Sequence, residues 1–147
     1  MIAVDAGPLI ALLDREQGVL HRQCLAVSTT LAVPLITTWP CLSKAWSFLG
    51  DLQGWAAQKA LWQLLERQVL KLHKASLVER QRMQALRQRY RTMEWPEASL
   101  VSLAEARHLT TIWTLDTAFS RYKIHDEIPF VLVPLPPGVV ASSPYES

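Results

Sequence analysis

The sequence predicts one α/β domain built on a mostly parallel sheet with helices on both faces. Two observations carry that reading. Short apolar runs alternate with longer stretches of helical spacing along most of the chain, the pattern of strands joined by crossover helices. The 147 residues, half of them apolar, suffice for one real core and fall short of two. The domain is expected over residues 1–135, with the Pro-rich stretch from 136 to 147 as a tail.

Ile2 to Val4 reads as the first strand, Leu9 to Leu13 as part of a helix, and Val19 to Leu31 as a second helix. Leu35 to Thr38 is the next strand. Pro40 suits the first turn of the helix that follows, where its missing N–H costs nothing; that helix is expected to reach Leu49 and stop at Gly50. From Gly54 to Arg67, Trp55, Leu61, Trp62 and Leu65 recur at helical spacing, and Val69 to Leu72 is a short strand. A basic helix follows. Pro96 opens another, with Leu100, Leu103 and Ala104 on its apolar side and an end near His108. Thr111 to Leu115 and Phe130 to Val133 are the closing strands.

Composition narrows the function classes. No apolar run approaches the ~20 residues of a membrane-spanning helix. The start MIAVD lacks a basic region followed by an apolar one, so the expectation is a soluble, cytoplasmic protein without a membrane partner. Cys24 and Cys41 lie far apart and no histidine pairs at ligand spacing, so both cysteines read as buried free thiols. Neither GxGxxG nor GxxxxGK[ST] occurs, which leaves dinucleotide and P-loop nucleotide binding without support.

The net charge of +2 is small but unevenly spread. Between Glu66 and Arg91, Arg67, Lys71, Lys74, Arg80, Arg82, Arg87, Arg89 and Arg91 face only two glutamates. On a helix, Arg80, Arg87 and Arg91 share a face, with Met83, Leu86 and Tyr90 available for an apolar side. That edge is either a solvated helix face or a surface that tracks phosphates.

In parallel sheets, ligands bind outside the carboxyl ends of the strands. Asp5 follows Val4 at one such end and Asp116 follows Leu115 at another; Glu97, opening the helix just upstream, can reach the same place. Three crowded carboxylates repel one another, and a divalent cation with oxygen ligands, Mg²⁺ or Mn²⁺, relieves that repulsion. The same residues also have a plainer use, with Asp5 and Asp116 capping the helices that follow and Glu97 complementing a helix dipole.

Four segments together resemble the PIN-domain nucleases, and among them the VapC-like toxins of prokaryotic toxin–antitoxin pairs. VDAGPLIALLD resembles the first motif, LITTWPCLSKAWSFLG the second, EWPEASLVSLAEA the third and TIWTLDTAFSRY the last, in order and over nearly the whole domain. The resemblance implies a PIN-like three-layer fold, an acidic site binding Mg²⁺ or Mn²⁺, and metal-dependent cleavage of RNA phosphodiesters. It also implies a homodimer and a cognate antitoxin protein seated in an apolar groove near the acids. Asp5 matches the first acidic position and Asp116 the last. Glu97 stands where the family usually carries aspartate, and Glu94 falls on a second, often acidic, position of the same motif.

The second motif departs from the family, with Lys44 where a glutamate is usual. An ammonium cannot ligate a metal and brings positive charge to the cation's place. Three outcomes stay open: Lys44 pairs with Asp5 or Asp116 in place of the cation, it snorkels away along its helix, or it binds an RNA phosphate. The function expected is therefore a metal-dependent endoribonuclease impaired by Lys44, or a catalytically inactive module that binds RNA or protein. Thr114, with Thr37 or Thr38, has a hydroxyl to offer water or phosphate, or is an ordinary β-branched strand residue. Trp55 and Trp62, seven apart, share a helix face near Trp46 and Phe48, and are expected in the dimer interface, the groove or the core.

Overall fold

A computed structural model describes residues 1–134. The expected tail, 136–147, and the last residue of the expected domain lie outside the described residues. The chain begins with β1 (Ile2–Val4), α1 (Ala6–Leu13), a 3₁₀ turn (Arg15–Gln17) and α2 (Val19–Thr30). Next come β2 (Leu35–Thr38), α3 (Trp39–Gln53), α4 (Trp55–Glu66) and β3 (Leu70–His73). The basic helix α5 (Leu77–Arg89), α6 (Trp95–Arg107), β4 (Thr111–Trp113) and a second 3₁₀ turn (Thr117–Ser120) follow. A hairpin of β5 (Lys123–Ile124) and β6 (Ile128–Pro129) precedes the edge strand β7 (Val131–Leu132).

The main sheet has the order β3-β2-β1-β4-β7 and is parallel throughout. Its central strand, β1, registers Ile2 with Leu35 on one side and Val4 with Trp113 on the other. Ala3, Val4, Ile36, Ile112 and Trp113 are almost wholly buried, so strands covered on both faces read as continuous apolar runs. The core closes through Leu9 and Ile10 of α1, Leu49 of α3, and Leu100 and Leu103 of α6. This is the α/β architecture expected from the sequence. Cys24 and Cys41 are buried free thiols.

Gly50 does not end α3, which runs on to Gln53. The reason is packing against the next helix. A Cβ at Gly50 would collide with the side-chain amide of Gln58, which instead lies against α3 and donates to the Trp46 carbonyl at 3.1 Å. The stop belongs to Gly54, whose φ of +74° turns the chain directly into α4. The basic helix is also shorter than its charges suggest. It ends at Arg89 with Tyr90 as cap, so Arg91 lies in the following turn and is not on one helical face with Arg80 and Arg87.

Candidate functional site

The carboxyl edge of the sheet gathers the chemistry. Asp5 leaves β1 and caps α1, its Oδ1 accepting the Ala6 N–H at 2.7 Å. Its backbone N–H donates to the Trp113 carbonyl, holding it beside β4. Thr114 donates its hydroxyl to Asp5 Oδ2 at 2.8 Å and accepts the Asp116 N–H at 2.9 Å. One hydroxyl thus ties the two strand ends together and fixes one aspartate relative to the other. Asp116 Oδ1 in turn accepts the Ala118 N–H and caps the 3₁₀ turn. The capping use of both aspartates is real, and it leaves lone pairs on each free.

Glu97 arrives from the other direction. Ser99 donates its hydroxyl to the Pro96 carbonyl, so the 2.6 Å bond between Thr38 and Ser99 has Thr38 as donor. Thr38 also caps α3 at Cys41 N–H. These bonds pin the first turn of α6, which carries Glu97, against the first turn of α3, which leads to Lys44. Cys41 Sγ lies 3.7 Å from Asp5 Oδ1 and 3.5 Å from the Pro96 carbonyl, bridging the same elements. Thr37 donates to the Val4 carbonyl at 2.8 Å. The hydroxyls of Thr37, Thr38 and Thr114 are therefore engaged inside the fold rather than offered to water or phosphate.

The charges feel one another. Burial pushes the Asp5 carboxyl up; the Thr114 and Ala6 hydrogen bonds and the positive charge of Lys44 oppose this, and Asp116 adds to it. Burial raises Glu97 to about 7, with Asp5 and Asp116 pushing the same way and Lys44 pulling back. Glu97 Oε2 is buried and accepts no hydrogen bond. Asp5, Glu97, Asp116 and Lys44 thus share one electrostatic neighbourhood. Lys44 makes no ion pair within 4 Å among the described residues, so it acts on the acids through its field alone. Also among the described residues, no three His, Cys, Asp or Glu side chains stand grouped so as to hold a metal ion. Glu94, at the N-cap of α6, is exposed and makes no capping bond.

Tyr122 is a neighbour that the sequence reading missed. Its phenol is buried, and burial together with the charges of Asp116 and Glu97 holds its proton firmly. It packs edge-on against Tyr90 and Phe119. Its place at the end of TIWTLDTAFSRY, six residues beyond Asp116, was the available signal.

The arginines divide. Arg82 pairs with Glu105 at 2.9 Å and Asp126 at 3.0 Å, and Arg89 with the same Asp126 at 3.2 Å. Arg87 donates to the Met93 carbonyl and lies over the Trp95 ring at 4.7 Å. Arg80 and Arg91 are exposed and make no ion pair among the described residues.

No protein-family profile matches the sequence, and no curated protein matches it. Among solved structures, the crystal structure of VapC20 from Mycobacterium tuberculosis, described as a sarcin-ricin loop cleaving toxin, is similar in fold. The TM-score is 0.69 and the identity 15%, over 76% of this chain and 87% of that one. The likeness shows the PIN-like α/β fold. Among the described residues no helix is long and apolar enough to cross a membrane.

Proposed function

We propose that the chain is a VapC-like endoribonuclease that hydrolyses RNA phosphodiesters with Mg²⁺ or Mn²⁺, its metal site weakened by Lys44. The observation that carries this is Glu97 Oε2, a buried carboxylate oxygen without a partner, in a field it shares with Asp5 and Asp116. An orphaned buried oxygen is costly, and a cation or bound water supplies what it lacks. The donor chemistry fits hard cations: Asp5, Glu97 and Asp116 offer only carboxylate oxygens, and Mg²⁺ needs few protein ligands because it keeps several waters. Lys44 opposes the fit and lowers affinity without filling the site.

In this reading Asp5 and Asp116 would hold the ion from the two strand ends, and Glu97 would hold it from α6. The bound ion would lower the pKa of a water and offset charge on the scissile phosphate. Thr114 positions rather than reacts, since its hydroxyl fixes the Asp5 carboxylate. Tyr122, protonated beside the acids, is a donor able to orient a water or a phosphate oxygen. VapC20 is described as a toxin that cleaves the sarcin-ricin loop, which favours RNA as substrate here and an antitoxin protein as partner. Trp55 and Trp62, 65% and 47% exposed and each edge-on to Trp46, form an apolar surface suited to a homodimer interface.

A second reading is favoured by Lys44 and by the lack of a ready-made three-acid metal group among the described residues. In it the fold is an inactive module that keeps RNA or protein binding. Incubating single-stranded RNA with the wild type in Mn²⁺, in EDTA, and with Asp5→Asn separates the two. The nuclease reading expects slow cleavage in Mn²⁺ that both EDTA and Asp5→Asn abolish; RNA binding without cleavage supports the module.

A further inference from the structure

Where β2 and β3 end lies a cavity of about 300 Å³. Thr38 and Ser99, the pair that pins α3 to α6 next to Asp5 and Glu97, form part of its wall. Trp39, Lys74, Arg80 and His73 form much of the rest. We propose that this cavity is a nucleotide subsite, taking one unpaired base of single-stranded RNA together with its adjoining phosphate. The inference rests on the nuclease reading for its substrate class and adds to it the place where the strand is gripped.

Three features argue for it. Trp39 lines the cavity and is 52% exposed although it opens a helix whose other face is core, so part of its indole is open to contact with a base. Among the basic residues of α5, Arg82, Arg87 and Arg89 are committed to Glu105, Asp126, Met93 and Trp95, whereas Arg80 makes no ion pair among the described residues. Lys74 makes none among the described residues either, so within them the cavity wall carries two positive charges with no carboxylate paired to them. A phosphate is the anion such a wall suits, since the two cations attract its charge and hydrogen-bond its oxygens.

His73 gives the cavity a fixed wall. Arg107 Nε donates to His73 Nδ1 at 2.9 Å, which makes Nδ1 the acceptor and places the ring proton on Nε2, donated to Glu79 Oε1 at 2.9 Å. Glu79 also accepts the Ser76 N–H, completing the capping box that opens α5. The loop between β3 and α5, which carries Lys74, is thus anchored at both ends. A volume of about 300 Å³ matches one nucleotide and is small for a duplex, which hides its bases from a stacking platform.

Anisotropy of a fluorescein-labelled single-stranded RNA octamer, in EDTA so that no cleavage intervenes, tests this for the full chain. Trp39→Ala is expected to weaken binding about tenfold. Arg80→Gln is expected to weaken it about threefold or more and to reduce the slope of log affinity against log salt by about one. Arg67→Gln, an exposed arginine on α4's C-terminal side, should change it less than twofold, and a duplex of the same sequence should bind more weakly than the single strand. All these positions are exposed, and far-ultraviolet circular dichroism verifies that each variant is folded. Wild-type binding left unchanged by Trp39→Ala and Arg80→Gln, equal affinity for duplex, or no binding of the octamer would each overturn the subsite. Mn²⁺-dependent cleavage by the same preparations, measured separately, decides the nuclease reading whatever the subsite result.

Discussion

Replacing Glu97 by Gln removes one charge from the site and leaves its shape nearly intact. In the metal-free protein that charge is a burden: burial, with Asp5 and Asp116 close by, raises the carboxyl from 4.5 to about 7. A displacement of that size makes ionisation in the fold costlier by about 3 kcal/mol, and partial exposure of the side chain reduces the effect on stability to about 1–2 kcal/mol. The sign follows from proton binding. Between pH 4.5 and about 7 the folded chain holds a proton that the unfolded chain has released, so wild-type stability falls as pH rises through this window and levels off above it. Urea unfolding followed by circular dichroism in EDTA should show Glu97→Gln more stable than wild type by about 1–2 kcal/mol at pH 8 and nearly equal to it at pH 5. Saturating Mg²⁺ at pH 8 should stabilise the wild type and have much less effect on the variant. A variant equally destabilised at both pH values would mean instead that Oε2 has a partner that glutamine loses, and that the Glu97 charge is no burden on the fold.

Thr114→Val removes the donor to Asp5 Oδ2 and the acceptor for Asp116 N–H together, and should cost about 2–3 kcal/mol, read as a lower urea midpoint with an unchanged slope. An unchanged midpoint would show that water replaces the hydroxyl. The wild type should sediment as a dimer at micromolar concentration, and Trp55→Ser with Trp62→Ser should convert it to a monomer; a wild-type monomer would remove the aromatic surface from the interface.

The strands and helices were legible because their apolar residues follow the period of a sheet buried on both faces and of helices packed on it. Ile2–Val4 and Leu35–Thr38 are strands at the bounds read from the sequence. Three features were not legible. Gly50 looks like a helix stop in isolation; only the side chain of Gln58, eight residues on, shows why a small residue is needed in mid-helix. The β5–β6 hairpin pairs only two residues on each side, too short for alternation to register. The spread of basic residues suggested a single cationic face, but Glu105 and Asp126, distant in sequence, neutralise part of it. At the candidate site, order along the chain singled out Asp5, Glu97, Asp116 and Lys44, and the structure places these four within one another's electrostatic field. Local spacing could not reveal that the threonine hydroxyls are turned inward, because their acceptors, Val4, Ser99 and Asp5, lie on other elements.

In the proposed nuclease Asp5, Glu97 and Asp116 serve one divalent cation and Lys44 works against it. The most direct test is single-turnover cleavage of single-stranded RNA across a Mn²⁺ titration by wild type, Lys44→Glu, and Lys44→Glu combined with Asp5→Asn. Exchanging the ammonium for a carboxylate at a cleft edge should tighten Mn²⁺ binding at least tenfold, since one added ligand interaction of about 1.4 kcal/mol suffices for that, and should speed cleavage. Asp5→Asn should abolish the gain. Brisk wild-type cleavage that Lys44→Glu leaves unchanged would contradict the account by removing Lys44 from the site, and failure of every variant to bind Mn²⁺ would contradict the metal site itself.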